Sequence, residues 1–555
     1  MRVEEAMSVI ASALRGQFSP EMLTSQVRTT LISLCDGRAT GPTGPPGLVK
    51  ALEPFLKHRS NSDTNLAELY EETLQWEVKG EGEAALVVPS AGERRRSGRY
   101  YTPDLITRHM ADRALLHAPG ARTAIDPACG AGAFLKALQE RFNRDRLRLV
   151  GLDSDPLALA LCRSRIPEAD LRHSDALLSE EEGLYDICLA NPPYVTGGLR
   201  GMRGHNVAGW TQLRSRYSTT SQYKFSTYPL FVERGLRLLR EGGVAGYILP
   251  DSFLTGKYFE GLRRLLAVNT LLELTLIRSD FWSHGRVGQS VIIFVRKASP
   301  PPDHHVMVRS VDEPHSLDGT AYISRPLSEL MWGQRLRFRL VTREADRTFI
   351  QAVEAGAKQR MGDLVKSYSG LIGRHGQRSL LLSENPGWSG PTAPLLRSGA
   401  EVDRYSVRWA GAHVCLEPAR IKSGGNVAYY RQPKLLMRQT ADSLRAAYDD
   451  TGLFCLNNLH LITTRSDMTI LKPALAVINS DALNRYYRLA AMESGRVYAQ
   501  VDLDLFDDLP VPEMNEETNG RLTELVTGMG KAAPAERAAM GLEIDRLVHR
   551  AYGLG

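Results

Sequence analysis

One stretch limits what this 555-residue chain can fold into more than any other: Tyr185-Asp186-Ile187-Cys188-Leu189-Ala190 running straight into Asn191-Pro192-Pro193-Tyr194. A short apolar run of this length, bounded by turn residues, predicts a buried strand. It stops at a rigid polar tetrapeptide. Two consecutive prolines fix φ and supply no N–H, so the chain leaves the sheet there in one defined shape. An amide and a phenol flank them at the strand's carboxyl end, the edge at which open α/β sheets bind ligands. Alone, the tetrapeptide also fits a plain strand-terminating turn. What lies upstream tells against that.

From 123 to 300 the apolar pattern alternates strand and helix. Strands are expected at Thr123-Asp126, Leu147-Asp153, Asp170-His173, Tyr185-Ala190, Val244-Leu249, Leu271-Arg278 and Ser290-Arg296. Helices fall at 132–142, 156–165, 223–241 and 256–267, and an amphipathic one opens at Thr102 or Pro103 and runs to Leu116. Strands separated by helices predict a doubly wound, mostly parallel sheet. The last two strands lack an intervening helix, which predicts an antiparallel addition at the sheet edge.

Successive strand ends carry the chemistry. Asp126-Pro127-Ala128-Cys129-Gly130-Ala131-Gly132 is a strand end, a turn of small residues and a helix start. Small residues let backbone pass close to a ligand, and Asp126 stands where it accepts from a cationic amine. The spacing is neither the dinucleotide GxGxxG nor a P-loop. Asp153, followed by Ser154, ends the second strand, where an acidic residue about 20 positions past a Gly turn suits ribose hydroxyls. Asp175, in Ser174-Asp175-Ala176-Leu177, suits an exocyclic amine. Each carboxylate alone fits a helix cap. Four such features on consecutive strands do not.

Residues 1–90 read as a mainly helical accessory region, with apolar periodicity in Met7-Leu14 and Asn65-Trp76 and a Gly/Pro loop at 41–47. Arg94-Arg95-Arg96 precede Tyr100-Tyr101-Thr102-Pro103 and fit a solvated face or a ligand-facing loop equally. The first catalytic-type domain then spans 91–300, a linker beginning in Ser299-Pro300-Pro301-Pro302 covers 301–345, a mixed domain runs 346–515, and a helical segment closes 516–555. Net charge is +6, yet 360–445 alone holds thirteen Lys/Arg against six Asp/Glu, interleaved with Tyr368, Trp388, Tyr405, Trp409, Tyr429 and Tyr430. Basic charge with stacking side chains is the footprint of a nucleic-acid reader. Six scattered cysteines without a CxxC pair argue against zinc and disulfides, so no metal site is expected. Neither a signal peptide nor a run of about 18 apolar residues is present, and a cytoplasmic setting is expected.

Tyr101-Thr102-Pro103, Asp126-Pro127-Ala128-Cys129-Gly130-Ala131-Gly132, Asp153, Asp175 and Asn191-Pro192-Pro193-Tyr194, in this order, resemble the motif series of gamma-class (TaqI-type) S-adenosylmethionine-dependent adenine-N6 DNA methyltransferases of restriction-modification or defence systems. The resemblance covers roughly 95–300 and extends loosely to 346–555 through Tyr430-Arg431-Gln432-Pro433-Lys434-Leu435-Leu436-Met437-Arg438 and Asp545–Leu554; it does not reach the first 90 residues. It implies a Rossmann-like class I methyltransferase sheet followed by a mixed α+β DNA-recognition domain. It implies S-adenosyl-L-methionine as cofactor, held by Tyr101, Thr102, Asp126, Pro127, Ala128, Cys129 and Gly130 at the methionine end, Asp153 and Ser154 at the ribose, and Asp175 and Ala176 at the adenine, with Asn191 and Pro193 closing the pocket. Asn191 and the Pro192 carbonyl would accept both hydrogens of the target N6, Tyr194 would stack on the extruded base, and Phe281 would supply the second face, with Trp282 its close competitor. Double-stranded DNA would be the partner, touched by Arg374, Arg378, Arg404, Arg408, Lys422 and Arg438, with the protein a monomer on it. No Pro-Asp followed by Asp/Glu-x-Lys is found, so a separate cognate nuclease or defence component is expected in a prokaryotic, nucleoid-associated setting. RNA or protein-glutamine N-methylation is the alternative for the same tetrapeptide.

Overall fold

The computed structural model describes residues 3–14, 26–31, 73, 76–79, 86–89, 102–142, 147–197, 207–221, 225–282, 288–441, 443–465, 467–492, 500–530 and 532–554. Tyr101, the arginine run at 94–96 and most of Asn65-Trp76 lie outside them. Two compact units divide at Leu327/Ser328.

The first unit is built on a nine-stranded sheet: β1 (Thr123–Asp126), β2 (Arg148–Asp153), β3 (Asp170–His173), β4 (Tyr185–Ala190), β5 (Leu239–Pro250), β6 (Thr270–Ile277), β7 (Ser290–Arg296), β8 (His305–Val311) and β9 (Ile323–Pro326). Their order is β9-β8-β6-β7-β5-β4-β1-β2-β3. From β3 to β5 all neighbours are parallel, while β7 runs antiparallel to both β5 and β6. Helices α1 (Asp104–His117), α2 (Ala133–Arg141), α3 (Pro156–Arg165), α4 (Thr227–Leu238) and α5 (Glu260–Ala267) supply the crossovers and cover. Every residue of β4 is buried, as expected of a central parallel strand covered on both faces.

Three expectations are corrected here. The antiparallel strand β7 lies inside the sheet, between β5 and β6. Its first six residues are all buried, a double-sided apolar run that an edge strand would expose. Residues 301–345 are not a linker: β8 pairs parallel with β6, and β9 pairs with β8. Arg309, which is buried, and Tyr322, through the buried Glu273, tie this segment to β6 and α1. Glu273 accepts from Arg113 Nε at 2.8 Å and Tyr322 Oη at 2.7 Å and meets His117 Nε2; Arg309 donates to Thr275 Oγ1 at 3.1 Å and to His109 at 2.7 Å. Thirdly, the N-terminal region is not helical throughout. A helix covers Val3–Ala13, but Trp76–Lys79 and Leu86–Pro89 pair as an antiparallel ribbon.

The second unit contains α6 (Glu344–Gly356) and a four-stranded antiparallel sheet, β10 (Val365–Ser369), β16 (Leu459–Thr464), β13 (Lys434–Arg438) and β14 (Ala446–Asp449), in that order. A smaller sheet joins β12 (His413–Cys415), β11 (Thr392–Leu396) and β15 (Phe454–Cys455). Helices α7 (Leu471–Asn479), α8 (Asp481–Ala491), α9 (Glu516–Met529) and α10 (Pro534–Ala551) close it. Leu522, Val526, Ile544 and Val548 share one core with Phe349, Ile462 and Tyr486, so 516–555 belongs to this unit's core. Among the described residues, no helix is long and apolar enough to cross a membrane.

Candidate active site

The carboxyl ends of β1, β2, β3 and β4 meet at one edge of the sheet. At β1, Gly130 has φ +52° and Gly132 φ +85°, left-handed values that favour glycine. A Cβ on Gly132 would stand 2.5 Å from Cys162 Sγ, so this turn admits no side chain there. The Gly130 N–H donates to Asp153 Oδ2 at 2.8 Å, and the Asp155 N–H to Asp153 Oδ1 at 2.8 Å. Asp153 thus locks the first turn to the second strand. Asp126 is buried, accepts the Ala128 N–H at 3.0 Å, and faces no cation among the described residues. Burial pushes its carboxyl from 3.8 up to about 8, with the Asp153 charge adding to the rise against the Ala128 hydrogen bond.

One strand further out, Asp175 is exposed and Ala176 buried; Asp175 Oδ1 accepts the Leu177 N–H at 3.0 Å. Ser154 is exposed, and its carbonyl accepts a ring N–H of His173 at 3.1 Å.

At the end of β4 the tetrapeptide is fixed by two threonine side chains, from beside α1 and from α4, and by a main-chain carbonyl of β5. Asn191 Nδ2 donates to Thr102 Oγ1 at 3.0 Å, just before α1. The Tyr194 phenol shares its proton between Asn191 Oδ1 at 2.7 Å and the Ile248 carbonyl of β5 at 3.0 Å. Thr227, at the start of α4, takes the Val195 N–H at 3.0 Å and donates to the Pro193 carbonyl. The Pro192 carbonyl meets no protein donor among the described residues. Thr227 escaped the sequence reading because the expected helix, 223–241, placed it inside a helix, whereas the structure puts it at the first residue of α4.

Aromatic rings line the exit. Tyr194 lies edge-on to Tyr228 at 6.0 Å and to Trp282 at 6.3 Å. Trp282 is buried, and its Nε1 donates to Ser290 Oγ at 2.9 Å. Phe281 is half-buried and leans on Trp282 with ring centroids 4.7 Å apart. Of the two, Trp282 is anchored and Phe281 is the outer ring.

Residues 150–280 match the Eco57I restriction-modification methylase family, and residues 394–511 match the TaqI-like C-terminal specificity domain. These two stretches are thus similar to a restriction-modification methylase and to the specificity domain of such enzymes. Among curated relatives, it is 32% identical over 211 residues to the type II methyltransferase M.TthHB8I of Thermus thermophilus, covering 38% of this chain and 47% of that one. It is 23% identical over 291 residues to the type II methyltransferase M.VspI of a Vibrio species, covering 51% and 64%. The chain therefore spans about half to two-thirds of the length of these relatives. Its fold is similar to the type IIL restriction-modification enzyme MmeI solved in complex with DNA, at TM-score 0.56 and 11% identity over 100% of this chain and 92% of that one. A nuclease-deletion mutant of the type ISP enzyme LlaGI gives TM-score 0.57 and 11% identity over 95% and 53%.

In the second unit, Arg374, Arg378, Arg404, Arg408 and Lys422 are exposed, Arg374 also capping the Ala419 carbonyl at 3.1 Å. Arg438 is tied inward, donating to the Val402 carbonyl beside Asp403 at 4.0 Å. The aromatic set divides likewise. Tyr430 is buried and stacks on Phe454 at 4.2 Å, and Tyr405 packs on the core, while Trp409 is 42% exposed. Period and charge in the sequence do not separate these two kinds of aromatic.

Proposed function

We propose that this methylase transfers the S-methyl group of S-adenosyl-L-methionine to N6 of an adenine extruded from double-stranded DNA at a specific sequence, protecting that site from a separate nuclease. The observation that carries the reading is the tetrapeptide itself: an Asn191 amide fixed by Thr102 and Tyr194, next to a Pro192 carbonyl with no protein donor among the described residues. Two acceptors side by side match the two hydrogens of an exocyclic amine. That amine's lone pair is delocalised into the purine ring. Holding both hydrogens out of the ring plane localises the pair for in-line attack, and the product nitrogen is acidic enough to release its proton without a strong base. Positioning is the main contribution.

The residues on the donor side fit the cofactor. Asp126 is a buried carboxyl that faces no cation among the described residues, and an amino-acid ammonium would stabilise its ionised form. Asp153, at the end of β2, is assigned to the ribose hydroxyls and the exposed Asp175 to the adenine amine. When bound, the cofactor supplies an electrophilic methyl on a sulfonium centre. Thr102, Pro127, Ala128, Cys129, Gly130, Ser154, Ala176 and Pro193 shape the remaining wall, and Tyr101 is assigned beside Thr102 from the motif alone.

Extruding a base costs a few kcal/mol, and stacking on aromatic rings returns roughly 1–3 kcal/mol per ring. Tyr194 is proposed for one face and the outer ring, Phe281, for the other. The exposed Arg374, Arg378, Arg404, Arg408 and Lys422 are proposed to meet DNA. Arg438, turned inward, is proposed to shape that surface.

The test is incubation of the protein with duplex DNA and radiolabelled methyl donor, followed by nucleoside analysis. Label in N6-methyladenine is expected. Label in cytosine, or label only when RNA or protein replaces DNA, overturns the reading.

A further inference from the structure

The turn that carries Asp175 is gripped from behind by side chains that no motif includes. Four consecutive carbonyls each receive a donor from elsewhere in the chain. Arg234 Nε of α4 donates to the Ala176 carbonyl at 2.8 Å, and the Tyr217 phenol to Leu177 at 2.7 Å. The Arg216 guanidinium donates to Leu178 at 3.4 Å and to Ser179, and pairs with Glu180 at 2.7 Å. Arg216 ends the helix Val207–Arg216, which follows the catalytic tetrapeptide in the chain; Tyr217 comes next.

The grip is itself braced. Arg237 lies 4.9 Å from the centre of the Tyr217 ring and donates to the Arg216 carbonyl at 2.9 Å. Glu233 pairs with Arg237 and accepts from Thr220 at 2.7 Å. Tyr217 and Arg234 are wholly buried, and Arg234 Nη1 and Nη2 meet no acceptor among the described residues. Burying a guanidinium matched at one nitrogen is a costly way merely to pack a helix. What it secures is the turn. Leu178 N–H bonds the Asp175 carbonyl at 3.0 Å and Leu177 N–H its carboxylate at 3.0 Å, so Asp175 and the gripped carbonyls move as one body. The Ala176 N–H meets no acceptor among the described residues and is left beside the carboxylate.

We propose that Arg216, Tyr217 and Arg234 are positioning residues that hold Asp175 and the Ala176 N–H in register with the amine and ring nitrogen of the cofactor's adenine. The segment after the catalytic tetrapeptide thereby sets discrimination between a 6-amino and a 6-oxo purine. The inference rests on Asp175 as the adenine reader.

Calorimetric titration of the full chain with S-adenosylhomocysteine and with S-inosylhomocysteine tests it through the ratio of their affinities. The intact protein is expected to prefer the adenosyl form, and Asp175→Ala to abolish the preference. Tyr217→Phe, which keeps the ring, and Arg234→Met, which keeps the stem, are expected to cut the preference by about fivefold to tenfold. An unchanged ratio in both variants, whatever happens to absolute affinity or melting temperature, overturns the inference while leaving Asp175 its role. An unchanged ratio in Asp175→Ala, or no binding of either nucleoside, overturns the reading of Asp175 and the inference with it.

Discussion

At residue scale the tetrapeptide's two side chains do separable jobs. Asn191→Ala removes an acceptor needed only as the amine reacts. Methyl transfer is expected to fall by about two to three orders of magnitude, as when one preorganised polar partner is lost. S-Adenosylhomocysteine binding, read by calorimetry, is expected to change by less than about tenfold; equal loss of both would sink the assignment. Tyr194→Phe keeps a ring for stacking and loses the proton shared by Asn191 Oδ1 and Ile248. Its expected signature is kcat down about tenfold with KM for DNA near that of the parent protein. Tyr194→Ala loses the ring as well, and 2-aminopurine fluorescence at the target position should fall. Asp126 gives a pH dependence. Its carboxyl is raised from 3.8 to about 8 in the folded chain, so the native state holds a proton that the unfolded state has already lost. Stability from this group therefore falls as pH rises from about 4 to about 8 and is level above. An ammonium ligand favours the carboxylate, so S-adenosylhomocysteine affinity should rise with pH up to about 8, by at most about tenfold per unit, and Asp126→Asn should flatten that rise.

At element scale, α1 is tied to β6 and to the segment before β9 through Glu273. Burial alone would raise this carboxyl, but hydrogen bonds from His117, Arg113 and Tyr322 overcome it and hold it at about 2. Its contribution is therefore present above the unfolded carboxylate range near 4.5 and is lost as pH falls towards 2. Glu273→Gln is expected to destabilise the fold by about 3–5 kcal/mol at neutral pH, since Arg113 and His117 lose a buried partner; chemical denaturation would measure it, and a loss below about 1 kcal/mol would refute the account. The same element shows where sequence reading stops. Strands β1, β2 and β4 announce themselves because each is a short, mainly apolar run ending in a turn, whereas β3, Asp170-Leu171-Arg172-His173, is legible mainly from its place in the alternation. The pattern of β8 was visible in Val306, Val308 and Val311, but Arg309 interrupts it and the prolines at 300–302 read as a linker. A buried arginine is legible only once His109, Thr275 and Tyr322 are known to converge on it. Candidate residues on the strand ends were readable for the converse reason: Asp126 and Asn191 stand beside markers such as Pro127, Gly130 and Pro192, and Asp175 was readable only through its place in the series. Thr227, Tyr217 and Arg234 lie within or beside helices, where Pro229 and Gly235 mark no strand end.

At the scale of the whole molecule, the division at Leu327 rather than near 300 can be tested by truncation. Residues 1–327 keep β8, β9 and Tyr322, whereas 1–300 loses the parallel partner of β6 and leaves an open edge. The longer fragment is expected to be soluble, to melt cooperatively and to bind S-adenosylhomocysteine; the shorter is expected to aggregate. If both behave alike in size-exclusion chromatography and thermal melting, the outer strands are dispensable. Removing residues 328–555 is expected to abolish preference among DNA sequences, because the exposed Arg374, Arg378, Arg404, Arg408 and Lys422 go with them.

The placement of β7 between β5 and β6 also orders events during synthesis. β1 to β5, with the turns of Asp126, Asp153, Asp175 and Asn191, emerge from the ribosome as a contiguous parallel block. β6 emerges before the strand that must separate it from β5, so it waits for residue 296 before it can dock. Phe281 and Trp282 lie in the connection between these two strands. The nascent chain thus exposes the four strand-end turns and the Tyr194 ring first, and the Phe281–Trp282 pair joins them only after β7 has docked.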